Sequence, residues 1–113
     1  MLQRAMNQGQ LFSIGWVCLL PRVLGVAATL YHQWDVAEAY FQTALEVALR
    51  LEARLEIGRT CLDYARMLAA RDSQSDRPRT IALLDQARTL LTALGLHPLA
   101  QRAAELTLAL HPG

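Results

Sequence analysis

Residues 35–51 read DVAEAYFQTALEVALRL, and the spacing inside this stretch decides the fold class. Ala37, Phe41, Ala44, Leu45 and Ala48 recur three and four apart. On a helix of 3.6 residues per turn that spacing stacks them on one face. Val36–Leu51 is therefore predicted to be helical. Asp35 immediately before the stripe, with Glu38 three residues on, has the form of an N-cap and its capping-box partner. Upstream, Val17–His32 reads as a helix that tolerates Pro21 near its start. The connection His32-Gln33-Trp34 is too short for anything but antiparallel neighbours.

The same pattern continues downstream. Ala53–Ala70 carries an apolar stripe of Ile57, Cys61, Tyr64, Ala65 and Leu68. Arg71–Pro78 is polar and turn-rich, and is expected to be a solvent-exposed connector with Asp76 as the next N-cap. Arg77–Leu94 places Ile81, Leu84, Ala87, Leu91 and Leu94 at helical spacing, and Gly95 supplies the stop. A last helix over 97–110 has Leu99, Ala103, Leu106 and Leu110 on its face. Nothing alternates with period two, so the expectation is an all-α chain of five helices with almost no strand. It forms one domain over 1–113, with hairpins at about 17–51 and 53–94 and a capping helix at about 97–110.

Hydrophobic residues make up 53% of the chain and charged residues 19%. A helical protein with that balance buries both faces of some helices or covers an apolar patch with another chain. Eleven basic and ten acidic residues leave a charge of +1, which offers no footprint for nucleic acid or anionic lipid. The apolar runs Leu11–Leu20 and Val23–Tyr31 are interrupted by Pro21-Arg22, and each falls short of the ~20 residues a membrane span needs. Cys18 and Cys61 read as buried free thiols in a reducing compartment, so a cytoplasmic protein is expected. The three histidines have no companion ligands at metal-binding spacing, so neither metal nor other cofactor is expected. No acid, base and nucleophile can be assembled, and the chain reads as non-catalytic. Glu46, Glu52, Glu56 and Asp63, interleaved with Arg50, Arg54, Arg59 and Arg66, read as a solvated face with pairs four apart.

Small residues sit where two helices must approach closely. Leu24-Gly25 is followed by Ala37, Phe41 and Ala44; Tyr64-Ala65 and Leu68 are followed by Thr80, Leu84 and Ala87. This arrangement resembles the tetratricopeptide-repeat family, whose unit is about 34 residues. Ala28 and Pro21 stand where that family's first helix usually carries tyrosine and tryptophan, and the second hairpin is stretched. WDVAEAYF at 34–41, TCLDYARMLAAR at 60–71 and LLDQARTLLTALGLHPLAQR at 83–102 are similar to the C-terminal repeat region of large bacterial signalling regulators of the ATPase/cyclase or LuxR type. The similarity spans roughly residues 20 to 110.

The resemblance implies an α-α superhelix of two hairpins, an N-terminal apolar segment and a capping helix. It also implies a protein–protein interaction module of regulatory or signalling kind. The alternative is a small-molecule-sensing helical domain, with a ligand near Trp16, Trp34 and Tyr64. The family's groove-facing offsets fall on Leu19, Arg22, Val23, Val26 and Thr29, and again on Arg59, Leu62, Asp63 and Arg66. Three arginines there suit an acidic or C-terminal peptide, because guanidinium pairs carboxylate in two-pronged fashion. Repeats also need covering at both ends. Gln101, Arg102 and Glu105 give the last helix the polar side of a cap. The other end offers Leu11, Phe12, Ile14 and Trp16, expected to self-associate in a homodimer.

Overall fold

The computed structural model describes residues 20–72 and 74–110, and they are all-helical. Five helices follow one another: α1 at 20–30, α2 at Trp34–Arg50, α3 at Arg54–Arg71, α4 at Arg77–Ala93 and α5 at His97–Leu110. A single 3-10 turn, Gln74–Asp76, links α3 to α4. No strand occurs among the described residues.

The apolar stripes meet in one core. Ala37, Phe41, Ala44 and Ala48 of α2 are fully buried, as are Cys61 and Ala65 of α3 and Leu84, Ala87 and Leu91 of α4. Leu94 departs from its stripe and stays well exposed, because α4 stops at Ala93 and Leu94 already belongs to the turn. Helix α3 packs against α2, α4 and α5, and α4 packs against α5. Small residues decide how closely the helices approach. A Cβ on Gly25 of α1 would lie 2.8 Å from the Phe41 ring of α2. A Cβ on Gly58 of α3 would lie 3.1 Å from Leu91 of α4. The second of these close approaches was not among the small positions expected from the sequence.

Three of the four corners are built the same way. His32, Glu52 and Gly95 each adopt a left-handed backbone, with φ of 57°, 54° and 78°. In each, the next amide reaches back five residues: Gln33 to Ala28, Ala53 to Ala48 and Leu96 to Leu91, at 2.8–2.9 Å. Together with the bonds His32 to Thr29, Glu52 to Leu49 and Gly95 to Thr92 this is the Schellman closure, which satisfies carbonyls a helix end leaves open. Only one corner uses glycine, so sequence punctuation marked one corner of three.

One cap assignment needs correction, and Asp76 holds its expected N-cap place without a side-chain cap bond. Helix α2 starts at Trp34, so Gln33 holds the N-cap place without a side-chain cap bond, and Asp35 lies in the first turn. There a carboxylate favours the positive end of the helix dipole. Asp76 does precede α4, but makes no cap bond; its carboxylate accepts from Arg71, 2.8 Å from Nη2. The connector is otherwise exposed as expected, at Asp72, Gln74, Ser75, Arg77 and Pro78, and only Arg71 and Asp76 are drawn in. Only 15% of the Asp76 side chain and 19% of the Arg71 side chain reach solvent.

Candidate interaction groove

Helices α1, α3 and α5 share one side of the molecule and line a run of three depressions. The central one, of about 250 Å³, is walled by Arg22 and Val26 from α1, by Arg59, Leu62, Asp63 and Arg66 from α3, and by Leu99 and Arg102 from α5. A second, of about 340 Å³, continues along α5 past Glu105, Leu106 and Ala109, and has Arg66 and Arg102 in common with the first. A third, of about 190 Å³, extends along α1 past Thr29 and Leu30, and shares Val26, Asp63 and Arg66. Arg66 therefore borders all three.

Of the residues expected in a groove, Arg22, Val26, Arg59, Leu62, Asp63 and Arg66 come together in the central depression. Leu19 lies outside the described residues. Val23 is exposed on α1 but does not line any of the three depressions. Thr29 borders the third, with its hydroxyl donating to the Gly25 carbonyl at 2.8 Å. Leu62 is a nearly buried floor residue.

Arg22 is an internal tie rather than a free cation. Its side chain is only 9% exposed, with Nη1 3.1 Å from Asp63 Oδ2 and Nε 3.4 Å from Glu56 Oε2. The second contact lacks hydrogen-bond geometry, leaving both atoms without a directed partner. Glu56 and Asp63 are thus drawn under α1 and are not part of a solvated face. The Arg59–Asp63 pair expected from spacing gives way to this longer-range one. By contrast Glu46 and Arg50 do pair at the surface, at 2.9 Å.

The remaining guanidinium groups are differently placed. Arg66 is 45% exposed and 3.5 Å from Asp63. Arg59 and Arg102 are exposed, and neither has an ion-pair partner among the described residues. Arg102 was legible only as the polar side of a cap; the return of α5 across α3 makes it a wall of the groove. The signal that could have found it is its arginine type, with Leu99 three residues earlier on the same helix face.

A second polar centre lies among α2, α3 and α4. Glu38 of α2 accepts from the Tyr64 hydroxyl at 2.8 Å, from Arg71 Nη1 at 3.4 Å and from Arg79 Nη2. Arg71 also holds Asp76. The Arg79 guanidinium lies over the Tyr64 ring at 5.5 Å, and Phe41 stacks on that ring at 5.7 Å. Burial works to raise the Glu38 pKa, but the Tyr64 hydrogen bond and the two arginines outweigh it and hold the carboxyl below its ordinary value. Burial, then the bond to Glu38, push the Tyr64 phenol up.

Cys61 is fully buried, and burial pushes its thiol up to about 11, so it stays protonated near neutral pH. Cys18 lies outside the described residues, as do Leu11, Phe12, Ile14 and Trp16. Among the described residues no three His, Cys, Asp or Glu side chains converge, and no helix is long and apolar enough to cross a membrane. Compared with models of known families, with characterised proteins and with solved structures, the chain finds no match.

Proposed function

We propose that this chain is a tetratricopeptide-like superhelical module that binds a partner protein through an acidic segment held in the α1–α3–α5 groove. One observation carries the reading: Arg59, Arg66 and Arg102 border a single apolar-floored depression, and two of them have no carboxylate partner among the described residues. Guanidinium groups so placed suit carboxylates, side-chain or C-terminal, while Val26, Leu62 and Leu99 accept apolar side chains between them. In this reading the module is non-catalytic and cytoplasmic, and acts as an interaction part of a signalling or regulatory system.

The test uses a fluorescent octapeptide of alternating Asp, Glu and Leu with a free C-terminus, beside its Asn/Gln amidated counterpart. Binding of the acidic peptide should fall at least tenfold in the Arg59→Ala, Arg102→Ala double variant and weaken with added salt. Equal affinity of variant and parent, or equal affinity for both peptides, would sink the proposal.

A further inference from the structure

Hairpin α1–α2 has two opposite faces, and Arg22 and Glu38 mark which is which. Arg22 reaches Glu56 and Asp63 of α3, and Glu38 reaches Tyr64, Arg71 and Arg79 of α3 and α4. Both therefore point toward the second hairpin. At about 100° per residue, positions two before, two after and nine after a helical residue lie on nearly the opposite side. For Arg22 the first two are Leu20 and Leu24, and for Glu38 they are Val36 and Tyr40. These four lie on the side away from the second hairpin and are exposed, and Tyr31, in the turn that ends α1, is 79% exposed beside them.

Val23 and Leu30, also exposed, widen this patch around α1. Between residues 20 and 31 the only charged side chain is Arg22, and it is turned inward. The seven side chains present on the order of 700 Å² of mostly apolar surface, more than the roughly 300–600 Å² that a monomer's largest patch usually reaches.

We infer that this face pairs with a second copy of the chain. Two copies covering most of it would bury about 1,200 Å², which passes the roughly 1,000 Å² that separates specific interfaces from incidental ones. A two-fold dimer brings identical patches together, and an uncharged patch does so with no like-charge repulsion. Of this patch only Leu30 also borders the groove, at its third depression; the arginine-lined central depression shares none of it, so each can fail without the other. It also differs from a pairing through residues 11–16, since it is built from helices α1 and α2.

Sedimentation velocity of the full chain from 1 to 100 μM tests this. The expected result is a dimer with a dissociation constant in that range. Tyr31→Glu, at the most exposed position of the patch, should raise that constant at least tenfold with helical circular dichroism unchanged. Leu108→Glu, equally exposed but on α5, should leave it unchanged. A monomer at 100 μM overturns the inference, as does a dimer insensitive to Tyr31→Glu or equally sensitive to Leu108→Glu. Trp16 as the single tryptophan, in a Trp34→Phe variant, then reports the other occupant. Blue-shifted, concentration-independent emission from a monomer assigns the face to the chain's own residues 1–19.

Discussion

Replacing Glu38 by glutamine tests how the two hairpins are joined. The carboxylate of Glu38 takes hydrogen bonds from Tyr64, Arg71 and Arg79, and 20% of its side chain is exposed. Hydrogen bonds to a charged group contribute about 1.5–3 kcal/mol each when buried, and less where solvent screens them. Glutamine keeps the shape and one acceptor but loses the charge. Arg71 and Arg79 retain Asp76 at 2.8 and 3.6 Å, so neither cation is stranded. The expected loss is therefore about 1–2 kcal/mol at pH 7, or roughly 5–10 °C in Tm for a domain of this size.

The pH dependence has a definite sign. Because the folded-state pKa of Glu38 lies below the ordinary 4.5, its contribution is complete above that value and disappears as pH falls through the folded pKa. The Tm gap between parent and Glu38→Gln should hold from pH 7 down to about 5 and close as the parent is acidified further. Thermal melts followed by circular dichroism from pH 7 to 3 measure it. A gap under 1 °C at pH 7, or one of equal size at both ends of the series, would refute the assignment of Glu38 as an ionised joint between the hairpins.

Two further substitutions probe the packing and the corners. Gly25→Ala should cost about 1–2 kcal/mol in denaturant unfolding, because a methyl there meets the buried Phe41 ring at 2.8 Å, while Gly58→Ala should be close to neutral. At Gly58 the contact is a looser 3.1 Å to the end of a leucine, and the gain in helix propensity of about 1 kcal/mol offsets it. Glu52→Gly should raise stability by about 0.5–1 kcal/mol, since glutamate there holds a left-handed backbone that only glycine adopts without steric cost. A drop in Tm for that variant would show that the Glu52 side chain contributes more than its backbone costs.

Helix content, helix number and most of the buried stripe were legible before any coordinates. Each is a local property: Ala37, Phe41, Ala44 and Ala48 announce a buried face by their spacing alone, and Leu84, Ala87 and Leu91 repeat the announcement. The corners at His32 and Glu52 were not legible as left-handed closures, because no glycine marks them and the conformation is enforced by the helices on either side. The start of α2 shifted for a related reason. Asp35 had the chemistry of a cap, yet the Schellman corner before it delivers the chain into helix two residues earlier.

The charges divide along the same line. Spacing reports only partners three or four residues away, which is why Glu46–Arg50 could be read directly and proved to pair. Arg22 with Asp63, and Glu38 with Arg79, stand 41 residues apart in each case, so no local pattern contains them. What the sequence by itself determined is which residues are helical and which faces they bury, since both follow from a period of 3.6. Only the tertiary structure decided that Arg22 is tied down and that Arg59 and Arg102 have no ion-pair partner among the described residues. A side chain's charge is written in the sequence, but what neutralises it depends on which helices are brought alongside.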